Sequence, residues 1–121
     1  MKVLIVDDSK AMRMIVMRTL RQAGFSAEVR EAENGKQALD AIRSDAPDLV
    51  LCDWNMPEMS GIDLLSTLNR EGPKVRFGFV TSEGTDSMRE RARQEGALFL
   101  IAKPFTPDSF GSALAPVFKG V

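Results

Sequence analysis

Histidine and tyrosine are both absent from this 121-residue chain, and cysteine and tryptophan occur once each. The lack of histidine removes the commonest general base, the commonest metal ligand and any internal phosphohistidine. A single cysteine, Cys52, excludes an intrachain disulfide and a multi-cysteine zinc site. It lies in an apolar run and reads as a small buried hydrophobe. Excess charge is missing too: 16 Lys and Arg against 17 Asp and Glu leave a formal net charge of −1. That balance makes no electrostatic case for a nucleic-acid or anionic-membrane partner. The basic residues are scattered, apart from a loose cluster of Arg89, Arg91 and Arg93 that reads as a solvated helix face. No run approaches the ~18 apolar residues of a membrane span, and Met1-Lys2-Val3 leads directly into a strand-like run. The expectation is a soluble, cytoplasmic monomer whose chemistry runs on carboxylates, hydroxyls and lysine.

What is present suits one compact domain. Hydrophobic residues make up 44% of the chain and charged ones 27%, enough for a core without staples at this length. Short apolar runs alternate with amphipathic stretches, the pattern of a parallel sheet covered by helices on both faces. The runs are Val3–Val6, Val29–Ala32, Leu49–Cys52, Val75–Val80 and Leu98–Ala102. Val29–Ala32 alternates with charge and reads as an edge strand, whereas nearly all-apolar runs suit central positions.

Between the runs, Met12, Ile15, Val16, Thr19, Leu20 and Ala23 recur at helical spacing, with Gly24 as the stop. A second helix carries Ala38, Leu39 and Ile42, with Asn34 as N-cap and Pro47 beyond its end. A third carries Ile62, Leu65 and Leu68, entered from Ser60 and closed near Gly72-Pro73. A weaker polar helix spans 85–95 before Gly96. The last starts at Thr106-Pro107, and Pro116 is expected to fray or bend its end. There is no internal repeat, linker or low-complexity segment, so residues 1–121 read as a single domain with no output domain beside it.

The informative polar residues stand immediately after strands. Asp7 and Asp8 follow the first, Asp53 the third, Thr81 the fourth, and Lys103 ends the fifth. In an open parallel sheet the carboxyl ends of the strands face one crevice, so these residues should meet there. Three carboxylates ~5 Å apart cost about 3 kcal/mol per pair at an effective dielectric of ~20. A cation relieves that repulsion, and an all-oxygen set of this size suits Mg²⁺. Alternatively a single aspartate merely caps a helix, as Asp8 could do ahead of Ser9-Lys10. A carboxylate beside Mg²⁺ can attack phosphorus, with Lys103 and the Thr81 hydroxyl binding phosphoryl oxygens. No side chain is an obvious base for hydrolysing the resulting acyl phosphate, so turnover is expected to be slow and the donor must be another molecule.

These residues carry a resemblance. The chain resembles response-regulator receiver domains over essentially its whole length, and chemotaxis regulators especially. The matching segments are Leu4-Ile5-Val6-Asp7-Asp8-Ser9, the run from Asp53 through Pro57 to Gly61, Val80-Thr81-Ser82-Glu83, and Gly96-Ala97 ahead of Lys103-Pro104-Phe105. The resemblance implies a flavodoxin-like α/β fold with strand order 2-1-3-4-5. It implies that Asp53 is the phosphoacceptor, served by the phosphohistidine of a sensor histidine kinase or phosphotransfer protein. It implies that Asp8, Asp53 and the Asn55 backbone carbonyl bind Mg²⁺, with Asp7 acting through water. Thr81 would be the switch hydroxyl, Lys103 would pair with the phosphoryl group, and the Lys103-Pro104 bond would be cis. The Asn55 and Glu83 side chains would influence phosphate loss, and a downstream protein would read the result.

One position departs from the family pattern, since Leu100 stands where an aromatic switch residue is usual. Moving a population from 1:99 to 99:1 takes about 5.5 kcal/mol, and a charged hydrogen bond to Thr81 supplies about 1.5–3 kcal/mol. The rest must come from Lys103, Mg²⁺ and repacking, with Gly84 as a hinge after Thr81. Met14 and Met17 read as lying off the inward stripe of the first helix, flanked by Arg13 and Arg18, and suit a surface for the kinase or phosphotransfer partner. The competing readings are a phosphorelay intermediate outside chemotaxis, an Mg²⁺-dependent phosphohydrolase, and a flavin-binding domain. The phosphohydrolase would want an acid where Asn55 stands. In a flavin domain, Asp7 and Asp8 would repel the cofactor phosphate.

Overall fold

The computed structural model describes residues 1–71 and 75–119. Strands and helices alternate strictly: β1 (Lys2–Val6), α1 (Lys10–Gln22), β2 (Glu28–Ala32), α2 (Gly35–Ser44), β3 (Leu49–Cys52), α3 (Gly61–Glu71), β4 (Arg76–Thr81), α4 (Asp86–Gln94), β5 (Leu100–Ala102) and α5 (Pro107–Lys119). The strands pair in parallel in the order β2-β1-β3-β4-β5. After β1 the chain winds to one side, and from β3 onward it winds to the other. A crevice therefore opens above the carboxyl ends of β1 and β3, where the winding reverses.

Alternation along the strands divides the core into two layers. Val3, Ile5, Leu49, Leu51, Val80 and Ile101 face α1 and α5, where Val16, Leu20, Phe110 and Leu114 meet them. Leu4, Val6, Val50, Cys52, Phe77 and Phe79 face α2, α3 and α4, against Ala38, Ile42, Leu64, Leu68 and Ala92. Each fully buried aliphatic side chain contributes about 1.5–3 kcal/mol. These central strands need apolar residues at every position because helices cover both of their faces. β2 has one neighbour only and keeps Glu28 and Glu31 exposed, the edge expected from its charge alternation.

The caps follow local chemistry. Ser9, Asn34 and Thr85 accept from the backbone N–H of Met12, Gln37 and Met88 and so start α1, α2 and α4. Because Ser9 caps α1, the Asp8 carboxylate is not used for that purpose. The Thr106 hydroxyl accepts from Ser109 N–H ahead of Pro107, the first residue of α5. Gly24 and Gly96, both at φ 91°, end α1 and α4 in a conformation that favours glycine. The expected closure of α3 near Gly72-Pro73 falls outside the described residues.

Four expectations differ from the structure. In α1, Ile15 is 41% exposed, Met17 packs partly on the core, and Arg13 is only 6% exposed. The inward face is thus centred on Val16 and Leu20 and takes in Arg13 and Thr19 at its margins. In the fourth run the strand is shifted by one residue, ending on Thr81. In the fifth, regular strand begins at Leu100 instead of Leu98. Leu98 N–H donates to Phe77 O and Phe99 O accepts from Phe79 N–H, so consecutive residues turn toward β4 and break the alternation. Finally, α5 runs through Pro116 to Lys119. Buried Val117 and the Phe118 ring, 4.3 Å from Phe25, hold its last turn.

At the free edge of β5, the Leu100 carbonyl points away from the sheet and accepts from Arg89 Nη1 of α4 at 3.0 Å. Arg89, Arg91 and Arg93 are all exposed, as a solvated face requires.

Candidate functional site

Each polar residue of the crevice is delivered by the strand it terminates. Asp7 N–H donates to Ala32 O and Asp53 N–H to Val6 O, so both aspartates continue the ladder one residue past their strands. Lys103 N–H donates to Thr81 O at 2.7 Å in the same manner. Residues 96 positions apart consequently meet: Lys103 Nζ lies 3.3 Å from Asp7 Oδ2 and 3.9 Å from Asp53 Oδ2. Asp7, Asp8 and Asp53 each present a carboxylate oxygen, and these oxygens lie within 4.8 Å of one another. Asp7 and Asp53 are buried, whereas Asp8 is exposed at the mouth.

Burial raises the Asp53 pKa above the usual carboxylate value. The Lys103 ammonium opposes that shift, Asp7 adds to it, and the Trp54 and Asn55 backbone N–H groups donate to the carboxylate and lower it. Burial likewise pushes the Cys52 thiol well above its ordinary value, with the charges of Asp53 and Asp7 acting in the same direction. The Cys52 S–H donates to Asp53 O at 3.1 Å. Cys52 is therefore a buried filler and not a nucleophile.

Small residues and a shaped loop hold the exit of β3. Gly61 opens α3 against this loop, its N–H donating to Trp54 O at 2.8 Å. A Cβ at Gly61 would meet the Asp53 carbonyl oxygen and the Phe79 ring. Between them Glu58 adopts φ 69°, and Trp54 packs on Phe79 with ring centroids 4.8 Å apart. Asn55 and Glu83 are exposed beside the crevice. Thr81 is fully buried, with its Oγ1 accepting from Glu83 N–H at 3.4 Å. The Lys103-Pro104 peptide is cis.

Leu100 packs partly against the layer under α2, α3 and α4, while Phe99 packs on the opposite layer, over Gly78. On α1, Met14 is 51% exposed. Met14 and Met17 line a shallow groove with Arg18, Arg21 and Gln22. Arg13 was missed as a site residue: its Nη1 donates to the Asp7 carbonyl at 2.7 Å and its Nε to Glu31 Oε1 at 2.9 Å. Its three- and seven-residue spacing from Val16 and Leu20 was the available signal.

Fold and site together define a doubly wound α/β protein with an acidic crevice at the point where its winding reverses. Residues 3–115 match the response regulator receiver domain, and the chain belongs to that family. It is a receiver domain of the CheY-like response regulators of two-component signalling, a family that is not one of classical enzymes. The chemotaxis protein CheY of Bacillus subtilis is 41% identical, with 88% of each chain covered. CheY-3 of Vibrio cholerae is 38% identical over 98% of this chain and 92% of its own. The solved structure of Vibrio cholerae CheY4 superposes with a TM-score of 0.83 at 30% identity, covering 96% of this chain and 97% of that one. Among the described residues no helix is long and apolar enough to cross a membrane.

Proposed function

We propose that this chain is a phosphorylation-activated switch that accepts a phosphoryl group on Asp53 from the phosphohistidine of a sensor histidine kinase or phosphotransfer protein. The observation that carries this reading is the trio of carboxylates within 4.8 Å with the Lys103 ammonium beside them. An all-oxygen, strongly anionic cradle with one exposed member fits Mg²⁺, which takes one or two carboxylates and keeps several waters. Asp8, Asp53 and the Asn55 carbonyl would hold it, with Asp7 acting through water. Bound there, the ion would offset the negative charge that gathers as a phosphoryl group approaches.

The chain's own groups do the rest. An Asp53 carboxylate oxygen forms the new O–P bond as the P–N bond to the donor imidazole breaks. Lys103, tethered to Asp7 and close to Asp53, pairs with a phosphoryl oxygen. The Thr81 hydroxyl donates to another, leaving its present partner Glu83 N–H and shifting the Gly84 loop. Leu100, under α4, repacks in place of an aromatic ring. The exposed Asn55 and Glu83 side chains tune access of hydrolytic water. The exposed Met14 and its neighbour Met17 contact the kinase or phosphotransfer protein. A downstream protein, chemotaxis-type as in the CheY relatives, reads the altered surface. The unit works in the cytoplasm as a monomeric receiver domain.

Incubation with acetyl phosphate and Mg²⁺, followed by intact mass, tests the assignment. The unaltered chain should gain one phosphoryl group and Asp53→Asn none. Equal labelling of both would place the acceptor elsewhere.

A further inference from the structure

Arg13 is a cation buried beside an acidic crevice, yet it contacts none of the three carboxylates that would hold a metal. Its Nη1 reaches the backbone carbonyl of Asp7 at 2.7 Å, the peptide oxygen between the Asp7 and Asp8 side chains. Its Nε is fixed by Glu31 Oε1 at 2.9 Å, on edge strand β2. The Arg13 side chain is 8% exposed and its bond to the Asp7 carbonyl is buried, whereas the bond to the exposed Glu31 is only partly shielded from water.

Among the described residues no other donor reaches that carbonyl. β1 ends at Val6 and α1 begins at Lys10, so Asp7 O lies beyond the ladder and outside the helix. The remaining polar atoms of Asp7 are bound elsewhere: its N–H by Ala32 O, Oδ1 by Ser9 N–H and Oδ2 by Lys103. Arg13 completes the set and so holds the peptide that orients Asp8, the exposed and least constrained of the three acids.

We infer that Arg13 is a positioning residue for the cation site: through the Asp7 carbonyl it preorganises the Asp7-Asp8 turn so that three mutually repelling carboxylates stay gathered before the ion arrives. The inference rests on the Mg²⁺ reading of the crevice. It makes a claim of sign. A buried positive charge acting only through space would weaken binding of a dication, so removing it would tighten Mg²⁺. Removing a positioning group does the opposite, because the ion must then gather a turn that has become free to move.

Trp54 adjoins Asp53 and is the chain's one tryptophan, which makes its emission a direct reporter for Mg²⁺ titration without any phosphoryl donor. In Arg13→Met, which keeps most of the apolar stem, the dissociation constant for Mg²⁺ should rise about tenfold, the range seen when groups supporting metal ligands are removed. Arg13→Lys, which can still donate to the carbonyl, should recover most of the loss. In acetyl phosphate labelling the Met variant should need more Mg²⁺ for half-maximal rate yet reach the wild-type rate at saturation. Glu31→Gln, which keeps an acceptor for Nε, should stay within twofold and provides a test independent of how well the Met variant folds. Unchanged or tighter Mg²⁺ binding in a folded Arg13→Met, or equal weakening in Arg13→Lys and Arg13→Met, would overturn the inference and leave the Mg²⁺ reading standing. Failure of the unaltered chain to bind Mg²⁺ would remove both.

Discussion

Replacing Asp53 by Asn in protein stripped of divalent ions should raise stability, although it deletes the proposed acceptor. At the 4.8 Å limit of separation, each pair of carboxylate charges costs about 3.5 kcal/mol at an effective dielectric of ~20, and Asp53 belongs to two such pairs. Against them stands Lys103 at 3.9 Å, worth about 4 kcal/mol at the same dielectric. Asp8 is exposed, so solvent screens its share heavily. The Asp7 and Lys103 contributions then nearly cancel, and desolvation of the buried Asp53 carboxylate tips the remainder toward Asn by on the order of 1 kcal/mol, about 3–5 °C in Tm for a domain of this size.

Urea denaturation at pH 7, low ionic strength and with a chelator reads this directly. The pH dependence fixes the sign independently. Burial raises the folded-state pKa of Asp53 above 3.8, so the penalty of its charge is full above the raised value. That penalty fades as pH falls and is gone below the ordinary value. The advantage of Asn should shrink over the same window. Saturating Mg²⁺ should reverse the order by stabilising the wild type more than the variant. A lower urea midpoint for Asp53→Asn at pH 7 without divalent ions would refute the view of the cluster as an electrostatically strained, cation-seeking site.

Gly61→Ala should cost about 2–3 kcal/mol in the same assay, because its Cβ would press on the Asp53 carbonyl and the Phe79 ring; an unchanged midpoint would show that α3 can shift freely. Thr81→Val should still bind beryllofluoride at Asp53. Its backbone NMR signals from Ser82 to Phe105 should stay near their unliganded positions, whereas those of the wild type move; a still wild type would end the switch reading. Met14→Gln should slow transfer from a protein phosphodonor but not from acetyl phosphate. Met17→Gln is the poorer probe because that side chain packs partly on the core and its loss lowers stability.

The meeting of Asp7, Asp8, Asp53 and Lys103 was legible because a parallel sheet brings strand ends together whatever their separation in the chain. Nothing beyond strand positions was needed. α1 was harder to read. A face drawn through Met12, Ile15, Val16, Thr19, Leu20 and Ala23 took in Ile15 and left out Arg13, whose burial is decided by partners outside the helix. Arg13 is admitted by the Asp7 carbonyl and Glu31. The late start of β5 was hidden for a similar reason. Leu98 and Phe99 are apolar enough for strand, but the break in alternation arises from how β4 receives them. Pro116 argued for a frayed or bent helix end; the helix continues to Lys119, where the Phe25–Phe118 contact holds its last turn.

Arg89 has a consequence of another kind. An open sheet ends in two rows of unpaired peptide groups, each a template on which a foreign strand can grow. Here one border is three residues long and its outward Leu100 carbonyl is already taken by Arg89. The other carries Glu28, Arg30 and Glu31. Copies of this chain are thereby discouraged from adding rim to rim into fibrous assemblies, even when crowded together, and their encounters are left to the helices and loops.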